Sequence, residues 1–134
     1  MNLEQVKEIL VDGTLGYFAT INNGQVELRG WQYQFQENNK FYFATANAKD
    51  VCKQMKINNQ VGFACVSNGY NVRISGESTF VNDVTIKADI FSKISAGVQA
   101  MYKNVSNPKF EIFYIGSGEI KVSKGYEPFE SIKF

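Results

Sequence analysis

The sequence predicts a mainly β protein, an antiparallel barrel that is closed or partly closed and flanked by helices. Val and Ile together number 23 among 134 residues, Leu only four, and aromatic residues make up 14%. Branched and aromatic side chains suit a pleated, half-buried surface. The apolar runs are also separated by short turns rich in Asn and Gly, which is typical of antiparallel meanders. Six or so such strands with separated helices favour a small barrel.

Apolar spacing sets the order of the elements. Asn47 is expected to cap the second helix, with Asp50 three residues later as in a capping box, and Asp83 to cap the third. Gly116 to Gly118 predicts a bulge or bend. In chain order we expect a helix at 3–10, strands at 15–21, 25–35 (bent at Gly30) and 41–45, a helix at 48–57, strands at 61–67 and 70–81, helices after 83 and at 97–103, and a strand at 110–121.

The length indicates one domain over residues 1–134, since single domains commonly run to about 100–150 residues. No repeat or linker divides the chain. Cys52 and Cys65 are too few for a disulfide framework and are expected to be small core residues. No apolar run approaches the roughly 18 residues of a membrane span, and residues 1–5 lack the features of a signal peptide. A cytoplasmic protein is therefore expected.

The charge balance and the absence of histidine exclude several functions. Fourteen Lys plus Arg against 13 Asp plus Glu give a net charge of +1, which provides little attraction for nucleic acid or anionic membrane. With no histidine, Ser-His and Cys-His nucleophile pairs, His-ligated zinc and proximal-His haem are excluded. No metal site is predicted. Neither a dinucleotide-binding GxGxxG motif nor a phosphate-binding GxxxxGK[ST] motif occurs.

A candidate phosphate site lies where a predicted strand ends at Thr45 and a helix begins. Helix N-termini present unpaired N–H groups and favour anions. Lys49 falls in the first turn, where a cation is unfavourable unless an anion is bound nearby. The alternative is that Lys49, Lys53 and Lys56 form an ordinary solvated face of the helix.

A second candidate site follows Arg29 on its strand. Gly30 lets a ligand approach the backbone closely, and Trp31 to Gln34 alternate flat aromatic surface with amides, which suits a planar heteroaromatic ring. A bent strand with an exposed arginine and core aromatics is the alternative. Arg73, in the middle of a strand, is expected to form a surface or interface ion pair.

The order of these motifs resembles the pyridoxamine 5′-phosphate oxidase-like family of FMN-binding split-barrel proteins. The resemblance rests first on Gly16-Tyr17-Phe18-Ala19-Thr20, Leu28-Arg29-Gly30-Trp31 and Phe41-Tyr42-Phe43-Ala44-Thr45 with Lys49. It continues through residues 54–61 and 71–77, and Met101-Tyr102, residues 110–114 and 127–130 are similar to a small clostridial-type subgroup. It therefore covers almost the whole chain.

The resemblance implies a split β-barrel with an antiparallel Greek-key arrangement, assembled as a homodimer with FMN at the subunit interface. Arg29 is then expected to contact the phosphate or ribityl end of FMN, and the backbone of Gly30 to Gln32 to run beside the ring. The same resemblance places Ala44 and Thr45 near the phosphate, makes Lys49 its cation, and assigns Asn71 a polar contact to the cofactor.

Departures from the family pattern limit the reaction. Asp50 and Val51 stand where the authentic oxidases carry an Arg-Lys pair. The C-terminal Trp and the Arg-x-His-type element that the family associates with the pyridoxamine phosphate substrate are also missing, because Trp31 is the only Trp and there is no His. Authentic pyridoxamine phosphate oxidase activity is therefore not expected. The leading hypothesis is an FMN-dependent oxidoreductase acting on a small molecule, with no catalytic side chain assigned. A non-catalytic FMN-binding electron carrier or flavin store, or a cofactor-free dimeric module, are the alternatives.

Overall fold

The structure is a computed structural model that describes residues 1–134. It confirms an antiparallel barrel with flanking helices. The elements are α1 (Leu3–Ile9), β1 (Leu15–Asn22), β2 (Gln25–Gln32), β3 (Phe35–Glu37), β4 (Lys40–Ala46), α2 (Asp50–Ile57), β5 (Gln60–Ser67), β6 (Tyr70–Phe80), α3 (Val84–Phe91), α4 (Ala96–Tyr102), β7 (Phe110–Lys124) and β8 (Glu130–Lys133).

The sheet closes because its two outermost strands are consecutive in the chain. Its order is β2-β1-β5-β6-β7-β4-β3, with β8 paired to β7. Residues 33 and 34 join β2 to β3, and they bond to both sides of the gap. The Tyr33 N–H donates to the Thr14 carbonyl (2.9 Å), and the Gln34 N–H donates to the Tyr42 carbonyl (3.0 Å). These bonds link the start of β1 to β4 and complete the ring.

Strand β7 changes partners at a bulge. Its first half lies between β6 and β4, and its second half lies between β6 and β8. Gly116 and Ser117 oppose the single residue Glu77, as the sequence predicted for this bend. Gly118 has φ +153°, and a Cβ there would lie 2.0 Å from the Ser75 carbonyl oxygen. The close approach of β6 therefore requires glycine.

Alternate residues of β4 face two separate apolar clusters. Phe41 and Phe43 are fully buried inside the barrel, where Phe43 stacks on Phe113 at 5.4 Å between ring centroids. Tyr42 faces outward into a second cluster, which also contains Ile90 of α3 and Tyr102 of α4. The two helices are thus held on the outside of β3, β4 and β7.

Most predicted elements are found, with four corrections. Asn47 does not cap α2: its side chain donates to the Pro108 carbonyl (2.7 Å), and the N-cap is Lys49, without a side-chain cap bond. The capping box expected with Asp50 is absent for the same reason. The strand predicted over 25–35 divides into β2 and β3, and β8 was not predicted. Asp83 caps α3 as expected, by accepting from the Ile86 N–H.

None of the four helices combines the length and the apolar character needed to cross a lipid bilayer.

Candidate functional site

A cleft of about 570 Å³ opens between the last residues of β2, the start of α2 and the helix α4. It contains five of the eight residues predicted from the sequence to bind a cofactor. Seven further residues complete its wall. The predicted five are Gly30, Trp31, Gln32, Ala44 and Lys49, and the others are Leu15, Gly16, Tyr17, Gln34, Val98, Met101 and Tyr102.

The strand side of the cleft combines an open stretch of backbone at Gly30 with the aromatic ring of Trp31, which belong to opposite faces of β2. Trp31 is half-buried and packs on Phe18, with 6.2 Å between ring centroids. A Cβ built on Gly30 would meet no atom within 4 Å. Because Gly30 has no side chain and no neighbour above it, a planar ligand can lie directly on the backbone of this strand.

Lys49 supplies the positive end of the cleft. Its Nζ lies 5.0 Å from the centroid of the Trp31 ring. As the N-cap of α2 it makes no side-chain cap bond, and the N–H groups of Asp50 and Val51 have no acceptor in the protein. Unpaired N–H groups at a helix start attract anions, and the ammonium group of Lys49 adds a full charge.

Two glutamines attach α4 to the strand side. Gln34 is 3% exposed, and its Oε1 accepts from the Ser95 N–H at 2.8 Å. Gln32 Oε1 accepts from Ser95 Oγ (3.2 Å) and from Gln34 Nε2 (3.3 Å). Ser95 is also the N-cap of α4, where it accepts from the Val98 N–H. The network therefore fixes the start of the helix that forms the opposite wall.

Arg29 lies outside the cleft, in a polar cluster between β1, β2 and α2. Its Nη1 donates to Thr20 Oγ1 (2.8 Å), and its Nη2 donates to Gln54 Oε1 (3.1 Å). Glu27 Oε2 accepts from Gln54 Nε2 at 2.6 Å and lies 3.6 Å from the Arg29 guanidinium. Burial lowers the pKa of Arg29, and the negative charges of Glu27 and Asp50 offset part of this effect by raising it. In this position the guanidinium connects α2 to the β1–β2 hairpin.

The remaining predicted contacts are dispersed. Thr45 is 1% exposed, and its hydroxyl is buried without a hydrogen-bond partner. Asn71 donates to the Gly125 carbonyl (3.1 Å), away from the cleft. Arg73 forms no ion pair within the chain, where its guanidinium lies over the Phe129 ring at 4.2 Å, and the interface ion pair stays a prediction.

The helix side of the cleft was missed from the sequence. Val98, Met101 and Tyr102 line it from α4, and Met101 remains 69% exposed. Nothing in the local sequence indicates that these residues face the strand that carries Trp31, because the contact depends on a helix docked by residues about 60 positions apart.

An apolar surface adjoins the cleft on the outer face of β2, β1 and β5. Tyr17 pairs with Gly30 and points outward, as do the residues two positions away on each strand. We call this the outer apolar face. Its large exposed side chains are Leu15, Tyr17, Val26, Leu28 and Val66, each about 66–76% exposed. Exposed apolar area of this kind commonly marks an interface.

Neither cysteine has the surroundings of a nucleophile. Cys52 is fully buried and belongs to the hydrophobic side of α2, as predicted. Burial raises the pKa of Cys52, and it raises the pKa of Cys65 to about 11. No group of three or more Cys, Asp or Glu side chains could hold a metal ion.

Comparison of the sequence with protein-family models and with curated proteins gives no match. Comparison of the fold with solved structures gives many. A NimC/NimA family protein from Clostridium acetobutylicum matches with a TM-score of 0.84 and 21% identity, covering 100% of this chain and 94% of that one. A heme-binding protein from Mycobacterium smegmatis matches at 0.77 and 11%, covering 91% and 53%. A pyridoxamine 5′-phosphate oxidase-related, FMN-binding protein from Nostoc punctiforme matches at 0.69 and 12%, covering 90% and 86%.

These similarities identify the fold as the split barrel of pyridoxamine 5′-phosphate oxidase-like proteins. The structural neighbours match the family that the sequence resembles.

Proposed function

We propose that the protein binds FMN in the cleft and acts as a cytoplasmic, flavin-dependent oxidoreductase on a small molecule. One observation carries the proposal. The cleft combines Lys49, at an uncapped helix start, with the Trp31 ring and the open backbone at Gly30. A planar cofactor that carries a phosphate needs a positive site for the phosphate next to an open wall for the ring.

The phosphate end fits the start of α2. The N–H groups of Asp50 and Val51 lack acceptors, and Lys49 is the one charged residue that lines the cleft. Hydrogen bonds from charged or helix-terminal donors to phosphate are among the stronger ones in proteins. We therefore assign the phosphate of FMN to Lys49 and these two backbone groups.

The ring end fits the strand side. Gly30 leaves space above the backbone, Gln32 and Ala44 line the cleft beside it, and the volume of about 570 Å³ lies in the usual range for ligand sites, about 300–1,000 Å³. FMN, when bound, would supply the electron transfer. The start of α2 would hold the phosphate, residues 30–32 would run beside the ring, and α4 would form the opposite wall.

FMN is a better fit than haem. The neighbours include one FMN-binding and one heme-binding protein. This chain lacks histidine, the residue that holds haem iron in globins and peroxidases, whereas its cleft has a phosphate-binding end.

Contacts of FMN with Arg29, Thr45 and Asn71 stay predictions from the sequence. None of these residues lines the cleft. For Arg29 the contact requires its guanidinium to leave Gln54 and Thr20.

We further propose a homodimer that uses the outer apolar face. Leu15 and Tyr17 belong both to this face and to the cleft, so a second copy seated on it would also cover the cofactor site. Burying such side chains stabilises an assembly by about 25 cal/mol per Å² of apolar surface.

The absorption spectrum of the purified protein tests the cofactor. We expect flavin bands in the protein as isolated, or quenching of flavin fluorescence when FMN is added to stripped protein. A colourless protein that does not quench FMN would overturn the proposal and favour the cofactor-free module. In the yellow protein, NAD(P)H oxidation with several electron acceptors would distinguish an enzyme from a carrier.

Sedimentation tests the dimer. The 15.1 kDa chain is expected to sediment as a dimer, and Leu28→Lys to shift it toward monomer. Val84→Lys is a matched control, because Val84 is 80% exposed on α3 and not on the outer apolar face. A monomeric wild-type protein would contradict the interface.

A further inference from the structure

We infer that the cleft, once FMN occupies its positive end, takes an uncharged planar aromatic compound as second ligand and discriminates against anionic ones. This inference rests on the proposed function, because it depends on the phosphate of FMN neutralising Lys49. The inference narrows the possible small-molecule substrates to uncharged ones, whereas the sequence alone does not distinguish substrates by charge.

The charge of the lining residues is the first basis. Twelve residues line the cleft, and Lys49 is the only one with a formal charge. A ligand that carries its own phosphate, carboxylate or sulfonate needs a second cation, and this chain places none there. Arg29, the other cation predicted from the sequence to bind the cofactor, does not line the cleft and donates to Thr20 and Gln54.

The amide groups of the cleft do not replace the missing cation. Gln32 Nε2 donates to the Gly13 carbonyl (3.2 Å), and Gln34 Nε2 donates to Gln32 Oε1 (3.3 Å). Their carbonyl oxygens accept from Ser95. Both amides hold α4, and each keeps only one of its two N–H donors free, so an anion beside them would lose hydration without gaining a full set of hydrogen bonds.

The rest of the wall favours an apolar ring. Val98, Met101 and Tyr102 face the cleft from α4, and Leu15 and Tyr17 face it from β1. Aromatic and thioether side chains pack well against planar rings. The outer apolar face continues this surface, so a second copy seated there would add apolar side chains beside the cleft.

Binding of two naphthoquinones that differ in charge tests the inference. FMN-loaded protein would be titrated with menadione and with 1,4-naphthoquinone-2-sulfonate, using calorimetry or equilibrium dialysis. We expect menadione to bind about tenfold more tightly or better, because the sulfonate loses hydration without a partner. Equal affinities, or tighter binding of the sulfonate, would overturn the inference.

A charge introduced on α4 gives an independent test. Met101→Lys in the FMN-loaded protein should shift the preference toward the sulfonate by about three- to tenfold, since an added cation near a desolvated anion is favourable. Met101→Gln, which is polar but uncharged, should not shift the preference in this direction. An unchanged preference in Met101→Lys would count against the inference.

The two proposals fail in different ways. FMN binding is measured first, by fluorescence quenching, in wild type and both variants. Absence of FMN binding refutes the proposed function and with it the inference. FMN binding without discrimination between the quinones refutes the inference and leaves the cofactor assignment in place.

Discussion

Lys49 Nζ lies 5.0 Å from the centroid of the Trp31 ring, which joins the positive end of the cleft to its flat wall. At an exposed position such a cation–π contact stabilises by about 0.5–1 kcal/mol. The contact restrains a long side chain that helix α2 does not otherwise hold, since Lys49 makes no cap bond. The ammonium group is therefore kept at one end of the cleft, next to its aromatic wall.

Substitution Lys49→Ala should lower the affinity for FMN by about tenfold or more, because a charge-assisted bond to phosphate contributes about 1.5–3 kcal/mol. Riboflavin, which has no phosphate, should bind the variant nearly as well as the wild type. Fluorescence titration with both flavins measures this difference. Lys53→Ala, at an exposed position one turn later on α2, is the control and should change neither affinity. Equal losses for FMN and riboflavin would contradict the phosphate assignment.

Arg29 and Gln54 should be coupled in stability. Arg29→Met leaves Gln54, Thr20 and Glu27 without their shared partner, so we expect the free energy of unfolding to fall by about 1.5–3 kcal/mol. In a double-mutant cycle with Gln54→Ala, measured by urea denaturation, the coupling should be about 0.5 kcal/mol or more. Additive effects would show that the hydrogen bond contributes little.

The same Arg29 variant tests the phosphate contact predicted from the sequence. If Arg29 touches the phosphate, Arg29→Met lowers the preference for FMN over riboflavin more than Gln54→Ala does.

Substitution by alanine should affect stability at one glycine of the site, Gly16, and flavin binding at another, Gly30. A Cβ at Gly16 would lie 2.5 Å from the Ala64 carbonyl oxygen, so Gly16→Ala should destabilise the fold by about 1–3 kcal/mol. A Cβ at Gly30 would meet no atom within 4 Å, so Gly30→Ala should change stability by only about 0.5 kcal/mol. If the ring lies on Gly30, however, this variant should still weaken both FMN and riboflavin. Thermal unfolding measures the effect on stability, and flavin titration measures the effect on binding. Normal flavin affinity in Gly30→Ala would contradict a ring position on Gly30.

The thiols should be unreactive in the folded protein near neutral pH. With a pKa of about 11, the Cys65 thiol is about 0.1% thiolate at pH 8, since each unit below the pKa costs a factor of ten. Because burial raises the pKa of the Cys65 thiol, its reaction with a disulfide reagent should accelerate only as the pH rises toward 11. Both cysteines should react rapidly in denaturant. Fast labelling of native protein at pH 8 would contradict the full burial of Cys52 and the raised pKa of the partly buried Cys65.

The fold was largely predictable because its signals are local. Asn23 and Gly24 have φ of 52° and 78°, which Asn and Gly tolerate, and this turn fixes the register of β1 and β2. Phe41 and Phe43 both face the barrel interior, and this likewise follows from the two-residue period of a strand.

The site was predictable only in part, because half of it depends on tertiary contacts. Asn47 has the chemistry of a helix cap, yet its side chain reaches Pro108, 61 residues away. Arg29 was expected at a phosphate, but Gln54 on α2 competes for it. Val98 and Met101 were missed because Ser95 is held by Gln32 and Gln34 from a distant strand. Such choices between partners cannot be inferred from residue type and spacing.

Closure of the barrel through Tyr33 and Gln34 has a consequence for how this cleft can change. The strand wall is continuous with the bonds that complete the ring, so substitutions there alter folding and binding together. The exposed side of α4 contributes to the cleft but not to the closure, and Met101 there is largely solvated. New ligand preferences are therefore more accessible through the helix than through the strand, and a family of variants at positions 98 and 101 could be screened without loss of the barrel.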